Sequence, residues 1–110
     1  MTLCDSHAHI GSSKELEERR IKGVRSLLCA DNPREAVKLY GLASRPEYKN
    51  IIIPTYGLHP WYAGQYSLSE MLSYFSECPV IGEIGMDSVW CNVPLAVQEK
   101  VFTEQLAVAA

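Results

Sequence analysis

Two histidines near the N-terminus are spaced so that both could bind one ion. His7 and His9 lie in the segment DSHAHI, directly after a short apolar run at residues 3–4. Residues two apart in an extended chain point to the same side, so both imidazoles can converge on one point. Neutral imidazole is the commonest metal ligand, and the carboxylate of Asp5 could orient a ring by accepting its other N–H group. The alternative is a pair of histidines that only satisfies polar groups near a strand end.

A second polar group lies in the segment GLHPW at residues 57–61. Pro60 biases His59 towards an extended conformation. His59 could bind a phosphate or polarise a substrate oxygen, and Trp61 could stack on a nucleobase or form the wall of a pocket. In the alternative interpretation, His59 is tied to the backbone and Trp61 packs beneath a loop.

A third group lies in the segment IGEIGMD at residues 81–87. A carboxylate inside an apolar strand is costly unless it is paired or bound to a metal. Glycines flank Glu83 and leave room for a ligand or another backbone to approach. Glu83 could therefore bridge two divalent ions or bind one, or it could be half of a buried ion pair. Asp87 could support such a site, although a loop aspartate is often a turn or cap residue.

The elements that must position these groups follow from hydrophobic patterning. Strands are expected at residues 3–4, 24–30, 50–55 and 80–84, each apolar nearly throughout, as in strands buried on both faces of a parallel sheet. Capping-box spacing at residues 12–15 and 67–70, and Asn32 before a first-turn proline, predict helix starts. The last helix should run from about Pro94 to the end. The apolar stripe expected in the third helix is Leu68, Met71, Leu72 and Phe75, and the face expected to be buried in the last is Val97, Val101, Phe102 and Leu106.

The resulting order, βαβαβαβα, predicts one α/β domain with a parallel sheet and right-handed crossovers. Four such units could form a small doubly wound domain or half of an eight-unit barrel. In either case the three polar groups lie at the carboxyl ends of the first, third and fourth strands, which face one rim. The residues therefore predict a metal-assisted hydrolytic site.

Composition narrows the classes of function. The chain has 110 residues and a formal net charge of −3, so a nucleic-acid partner would need a local patch or a bound metal to attract its phosphates. The four cysteines show no CxxC spacing and are expected to be reduced, with Cys4 and Cys29 buried in their strands. No membrane span or secretory signal is visible, so a cytoplasmic location is expected. The sequence has no P-loop, Rossmann fingerprint or nucleophile elbow.

Together the segments DSHAHI, YGLHPW, IGEIGMD and PLAVQEKVFTEQLAVA resemble the TatD family of metal-dependent deoxyribonucleases, which is related to the amidohydrolase barrels. The resemblance implies that His7 and His9 bind metal and that Glu83 is a catalytic ligand shared by two divalent ions, Mg, Mn or Zn. It implies that His59 acts near the phosphate in catalysis and substrate binding, with Trp61 beside it. DNA or another phosphodiester would be the substrate.

The sequence also departs from the family pattern. Ser-Val-Trp-Cys follows Asp87 where the family often carries aromatic residues, and the family's remaining ligands, two histidines and an aspartate on later strands, have no counterpart. Residues 1–110 are therefore expected to form the N-terminal half of a TIM-type (β/α)8 barrel, truncated in mid-helix and inactive alone. The missing half, or self-association through open sheet edges, would complete it.

Two alternatives to a TatD hydrolase stay open. One is a non-catalytic half-barrel that acts only by assembling with another chain. The other is a phosphoesterase of the polymerase-and-histidinol-phosphatase type, which also opens with two histidines one residue apart. The segment IGEIGMD argues against the second alternative.

Overall fold

The computed structural model describes residues 2–110 and contains parallel β-α-β units around an open three-stranded sheet. The strands are β1 (Leu3–His9), β2 (Val24–Ala30) and β3 (Ile52–Tyr56), hydrogen-bonded in that order. The helices are α1 (Ser13–Lys22), α2 (Pro33–Ala43), α3 (Leu72–Phe75) and α4 (Leu95–Ala109), and short 3-10 helices span Pro46–Tyr48, Pro60–Tyr62 and Leu68–Glu70. This architecture is consistent with the first half of a TIM-type barrel, as predicted.

Local capping explains where α1 and α2 begin. The Ser12 hydroxyl accepts a hydrogen bond from the Glu15 amide at 3.1 Å, and the Asn32 side chain accepts one from the Glu35 amide at 3.0 Å. These side chains satisfy N–H groups that have no partner within the helix. Helix α1 ends at Gly23, whose φ of 68° lies in the left-handed region that favours glycine.

The parallel register brings the carboxyl ends of the three strands to one edge. His9 pairs with Cys29, and Ala30 pairs with Tyr56. The β1–β2 register shifts between Asp5 and Ala8, so β1 contains one residue more than its partner there. Such a bulge re-aims the side chains beside it, and His7 lies within it.

The core lies between the sheet and the helices that cross it. Its most deeply buried large side chains come from β2, α2, β3 and the segment after β3, and each is at most 2% exposed: Leu28, Leu39, Tyr56, Leu58 and Met71. A core of this kind fixes β2 and β3, whose carboxyl ends lie beside the candidate site.

The predicted fourth strand at residues 80–84 does not form. Ile81 makes one isolated parallel bridge to Tyr56, and the Gly82 amide donates to the Tyr56 carbonyl at 3.0 Å. Glycine weakens a strand, and within residues 2–110 no further strand pairs with the other side of this segment. The predicted third helix is also divided, because a 3-10 turn at Leu68–Glu70 precedes the four-residue α3.

Three predictions of burial are wrong. On α4, Val97 is 38% exposed and Leu106 is 47% exposed, while Gln98 and Gln105 are each 1% exposed. The two glutamines can be buried because their side-chain amides bind the backbone of Asp87 and Leu58. Cys4 is exposed, because β1 is an edge strand that little else covers. All four cysteines lie within the described residues and are free thiols. No helix within residues 2–110 is long and apolar enough to cross a membrane.

Candidate functional site

His7, His9 and Glu83 converge at the carboxyl end of the sheet. Glu83 Oε2 lies 3.1 Å from His9 Nε2 and 3.7 Å from His7 Nε2, and one ligand atom from each residue lies within 4.8 Å of the others. The two imidazole rings meet edge to face, with centroids 5.1 Å apart. The structure therefore brings together the three residues that the sequence predicted as metal ligands.

Both histidines turn the same ring atom towards Glu83. Their Nδ1 atoms face residues at the end of β2 instead: His7 Nδ1 lies 3.5 Å from Cys29 Sγ, and His9 Nδ1 lies 3.6 Å from Asp31 Oδ2. Burial raises the pKa of the Cys29 thiol, so it faces His7 as a neutral group. This arrangement leaves the Nε2 atoms of both histidines free to bind an ion.

Asp31 is a site residue that the sequence interpretation missed. Burial, and then the nearby charge of Glu83, raises the pKa of Asp31 to about 6, against the opposing effect of His9. One of its carboxylate oxygens, Oδ1, is buried and has no hydrogen-bond partner among the described residues. A usable signal was present, because Asp31 directly follows the apolar run that ends β2 at Ala30.

A close backbone contact places Glu83. A Cβ atom added to Gly57 would lie 2.6 Å from the Glu83 carbonyl oxygen and 2.9 Å from the Glu83 nitrogen. Only a residue without a side chain leaves space for this approach. Gly57 lies just beyond β3, so the third strand positions Glu83 even though residues 80–84 form no strand of their own.

Asp5 supports the backbone of the site and not a ring, contrary to expectation. Its carboxylate accepts hydrogen bonds from the His7 amide at 3.2 Å and from Arg19 Nη1 at 2.9 Å. The Arg19 bond, followed by the His7 amide, lowers the pKa of Asp5. Arg19 also donates to Ser26 Oγ at 2.8 Å, so it joins α1 to both β1 and β2 beneath the histidines.

His59, Trp61 and Asp87 form a second group, which does not include the three residues of the cluster. His59 Nδ1 accepts from the Trp61 amide at 3.2 Å, which leaves its Nε2 available, and the two rings are 5.3 Å apart. Trp61 Nε1 donates to Asp87 Oδ2 at 2.7 Å. This bond, followed by those from the amides of Trp90 and Val89, lowers the pKa of Asp87. Asp87 therefore fixes Trp61 and its own turn, and not a histidine ring.

Two buried glutamines on α4 bind the segments that carry this second group. Gln105 accepts from the Leu58 amide at 2.7 Å and donates to the Leu58 carbonyl at 3.1 Å. Gln98 accepts from the Asp87 amide at 2.8 Å and donates to the Asp87 carbonyl at 3.2 Å. Each amide thus pairs with both backbone groups of one residue, as a neighbouring strand would.

The chain matches the family model described as TatD related DNase over residues 4–110. It belongs to the TatD family. Among curated proteins, none matches the chain. The family is one of metal-dependent hydrolases, and its match covers every candidate site residue described above. This assignment favours the TatD interpretation over the polymerase-and-histidinol-phosphatase type.

The TatD assignment agrees with the chemistry of the cluster. Two imidazole nitrogens and one carboxylate oxygen make a mixed donor set that suits zinc or manganese. Ligands of one ion with bonds of about 2.0–2.1 Å stand roughly 3.0–3.4 Å apart. The distances of 3.1 and 3.7 Å from Glu83 Oε2 to the two histidines are close to that range. The residues present therefore fit a divalent ion.

Proposed function

We propose that this chain carries part of the active site of a metal-dependent phosphodiesterase that acts on DNA. The observation that carries the proposal is the convergence of His7, His9 and Glu83 at the carboxyl end of the sheet. One ligand atom from each residue lies within 4.8 Å of those from the other two. Active sites of parallel α/β barrels lie at this end. Membership of a DNase family supplies the class of substrate.

In this proposal the Nε2 atoms of His7 and His9 and the carboxylate of Glu83 would hold a divalent ion, and Glu83 would be the ligand shared with a second ion. The ion is Mg, Mn or Zn. When bound, such ions supply an activated water and neutralise charge on the phosphate. Cys29 and Asp31 lie behind the rings and fix which nitrogen is presented. Arg19 and Asp5 fix the backbone of β1 at His7.

His59 and Trp61 belong to the substrate side of the site. The Trp61 amide occupies His59 Nδ1, so the opposite nitrogen is free to donate a hydrogen bond to a phosphate oxygen. Trp61 is 53% exposed although its ring nitrogen is bound to Asp87, so its face is available to a substrate in a fixed orientation. We assign His59 to phosphate binding and charge stabilisation, and Trp61 to the wall of the site.

We further propose that residues 1–110 act as the N-terminal half of a TatD barrel. The cluster offers three ligands, and a two-ion site needs more. Within residues 2–110 the sheet is open on both sides, with β1 at one edge and a single bridge at Ile81 beyond β3. The partner would be the second half of the barrel. A half-barrel that only assembles with another chain is the second candidate, and the same open edges favour it.

Glu83→Gln tests the proposed chemistry. The substitution keeps the shape of the side chain but removes its charge. The affinity of the chain for Mn²⁺, measured by calorimetry, should fall at least about tenfold. In a completed barrel that cleaves DNA, turnover should fall at least about a hundredfold, the scale of losing a group that stabilises developing charge.

The matched control is Glu99→Gln, which makes the same change at an exposed position on α4. It should leave both quantities unchanged. Near-normal Mn²⁺ affinity in Glu83→Gln would reject the metal site. Mn²⁺ binding without cleavage of DNA by the completed barrel would favour the non-catalytic alternative.

A further inference from the structure

A cleft with a volume of about 430 Å³ lies beside the proposed catalytic residues. Its walls are the segment that begins at Trp61 and the segment 90–94 that precedes α4. Trp61 is 53% exposed and Trp90 is 79% exposed. The volume lies in the range of small-molecule sites, about 300–1,000 Å³. Exposed tryptophan faces on a cleft are typical of a surface that binds a ligand.

Hydrogen bonds join the two walls of the cleft. Asp87 binds the Trp61 ring nitrogen at 2.7 Å and the Trp90 amide at 2.9 Å, so one carboxylate joins the two walls. Gln98, itself buried, binds both backbone groups of Asp87. Cys91 Sγ donates to the Pro60 carbonyl at 3.5 Å and joins the walls a second time. A site fixed in advance loses little entropy when its ligand binds.

The chemistry of the lining selects a neutral, planar ligand. No lysine or arginine is among the lining residues, and the carboxylate of Asp87 stands behind Trp61, so the cleft does not attract a phosphate. Gln65 and Asn92 contribute side-chain amides that both donate and accept hydrogen bonds. Aromatic faces together with amide edges match a nucleobase, which stacks on its face and is read at its edge.

We propose that the cleft between Trp61 and Trp90 is a nucleobase-binding subsite. The inference rests on the proposed function, because His59 would bind the phosphate of the same nucleotide chain. His59 and Trp61 are two residues apart and their ring centroids are 5.3 Å apart, so a phosphate at His59 and a base at Trp61 are neighbours. The base must leave its duplex partner to enter the cleft.

The test compares two oligomers of equal length and charge, an end-labelled oligothymidylate and its abasic counterpart, by fluorescence anisotropy in EDTA. The protein should bind the oligothymidylate more tightly. Trp90→Leu should weaken that binding about 5–150-fold, the range of one base–aromatic stack, and leave the abasic affinity unchanged. Trp90→Phe should retain most of the affinity that Trp90→Leu loses, because phenylalanine also offers an aromatic face.

Two further variants separate stacking from damage to the fold. Val89→Ala changes an apolar residue that is 74% exposed in the same loop but does not line the cleft, and it should bind like the unmodified protein. Gln98→Met keeps both tryptophans but releases Asp87. It should weaken the binding of the oligothymidylate and leave the binding of the abasic oligomer unchanged. Equal affinity for the abasic oligomer, or unchanged affinity in Trp90→Leu, would overturn the subsite.

The subsite and the proposed function can fail separately, because binding is measured without metal. Base-dependent binding in a completed barrel that cleaves no DNA with Mn²⁺ would reject the hydrolase and keep the subsite. Metal-dependent cleavage of DNA with no base-dependent binding would reject the subsite and keep the hydrolase.

Discussion

At the scale of single residues, the candidate metal centre depends on groups behind the ligands as much as on the ligands. Glu83 stands where it does because the Gly57 backbone passes against it, and His9 is faced from behind by Asp31. Neither Gly57 nor Asp31 would bind an ion. Both determine whether the three residues that would bind it face one another.

Gly57→Ala should displace Glu83. The new Cβ would lie 2.6 Å from the Glu83 carbonyl oxygen. A backbone atom cannot rotate out of the way as the end of a side chain can. We expect Mn²⁺ affinity to fall at least about tenfold, with a loss of about 1–3 kcal/mol in the free energy of unfolding. Calorimetric titration and denaturant unfolding measure the two quantities. Gly41→Ala, where an added Cβ meets nothing within 4 Å, is the control and should not reduce metal affinity.

Asp31→Asn should weaken metal binding with little effect on the fold. The amide fills the same space, but it no longer places a carboxylate 3.6 Å from His9 Nδ1. Groups that orient a ligating histidine contribute about 10–100-fold to metal affinity. Calorimetry with Mn²⁺ and with Zn²⁺ should show a loss in that range. Unchanged affinity for both metals would mean that Asp31 has no part in the site.

At the scale of elements, α4 acts through its polar residues. A helix that packs through an apolar stripe can slide, whereas each buried amide of Gln98 and Gln105 binds the two backbone groups of a single residue. Leu58 precedes His59, and Asp87 binds Trp61. The helix therefore sets the position of the substrate wall without contributing to it.

Gln105→Met should release the segment that carries His59. The Leu58 amide would lose its acceptor, and an unsatisfied buried group costs about 1–3 kcal/mol. Hydrogen exchange followed by NMR should show faster exchange at Leu58, while Mn²⁺ affinity at the histidine cluster is retained. Thr103→Met places the same side chain at an exposed position of α4 and should leave exchange at Leu58 unchanged. Slow exchange at Leu58 in Gln105→Met would show that the amide pairing is dispensable.

The elements that sequence analysis predicted well are those with local signals. Helices α1 and α2 begin at the expected cap residues Ser12 and Asn32, and β2 spans the expected residues 24–30. The prediction of a fourth strand at residues 80–84 was wrong because a strand weakened by glycine needs partners on both sides to be stable, and no local pattern in the sequence reports them. Gln98 and Gln105 were missed because a glutamine on a helix normally faces water, and their backbone partners are distant in sequence.

The same division applies to the candidate site. The grouping of His7, His9 and Glu83 was predicted from strand order and the rule that parallel strands end at one edge, and it holds although residues 80–84 form no strand. Asp31 could have been found by applying that rule to β2 as well. The role of Asp5 could not, because its partner Arg19 belongs to a helix whose docking angle the sequence does not specify.

At the scale of the whole molecule, the sheet has an unprotected edge. Strand β1 pairs only with β2 among the described residues, and Leu3 on it is 53% exposed. Val80, Met86 and Val89 add further exposed apolar surface. Unpaired edges with apolar side chains recruit other chains.

The 110-residue chain should therefore self-associate. Light scattering after size exclusion should give a mass above that of a monomer, and a Mn²⁺-dependent DNA digestion assay on the same fraction should show no cleavage. Leu3→Lys should reduce the association, because a charged side chain at an edge opposes pairing. Val37→Lys, at a position on α2 that is 63% exposed, should not. A stable monomer would show that the open edge is tolerated.

The seven-residue interval between Gln98 and Gln105 on α4 sets a fixed distance between the two amides. Two helical turns separate the glutamines by about 10.5 Å along the axis, at about 1.5 Å per residue. Because one glutamine binds Leu58 and the other binds Asp87, this rigid length fixes how far apart those two residues stand. The interval cannot be adjusted gradually. One inserted residue would rotate one amide by about 100° away from its loop, and a whole inserted turn would restore the direction but move the two amides about 5.4 Å further apart, so neither change keeps both attachments.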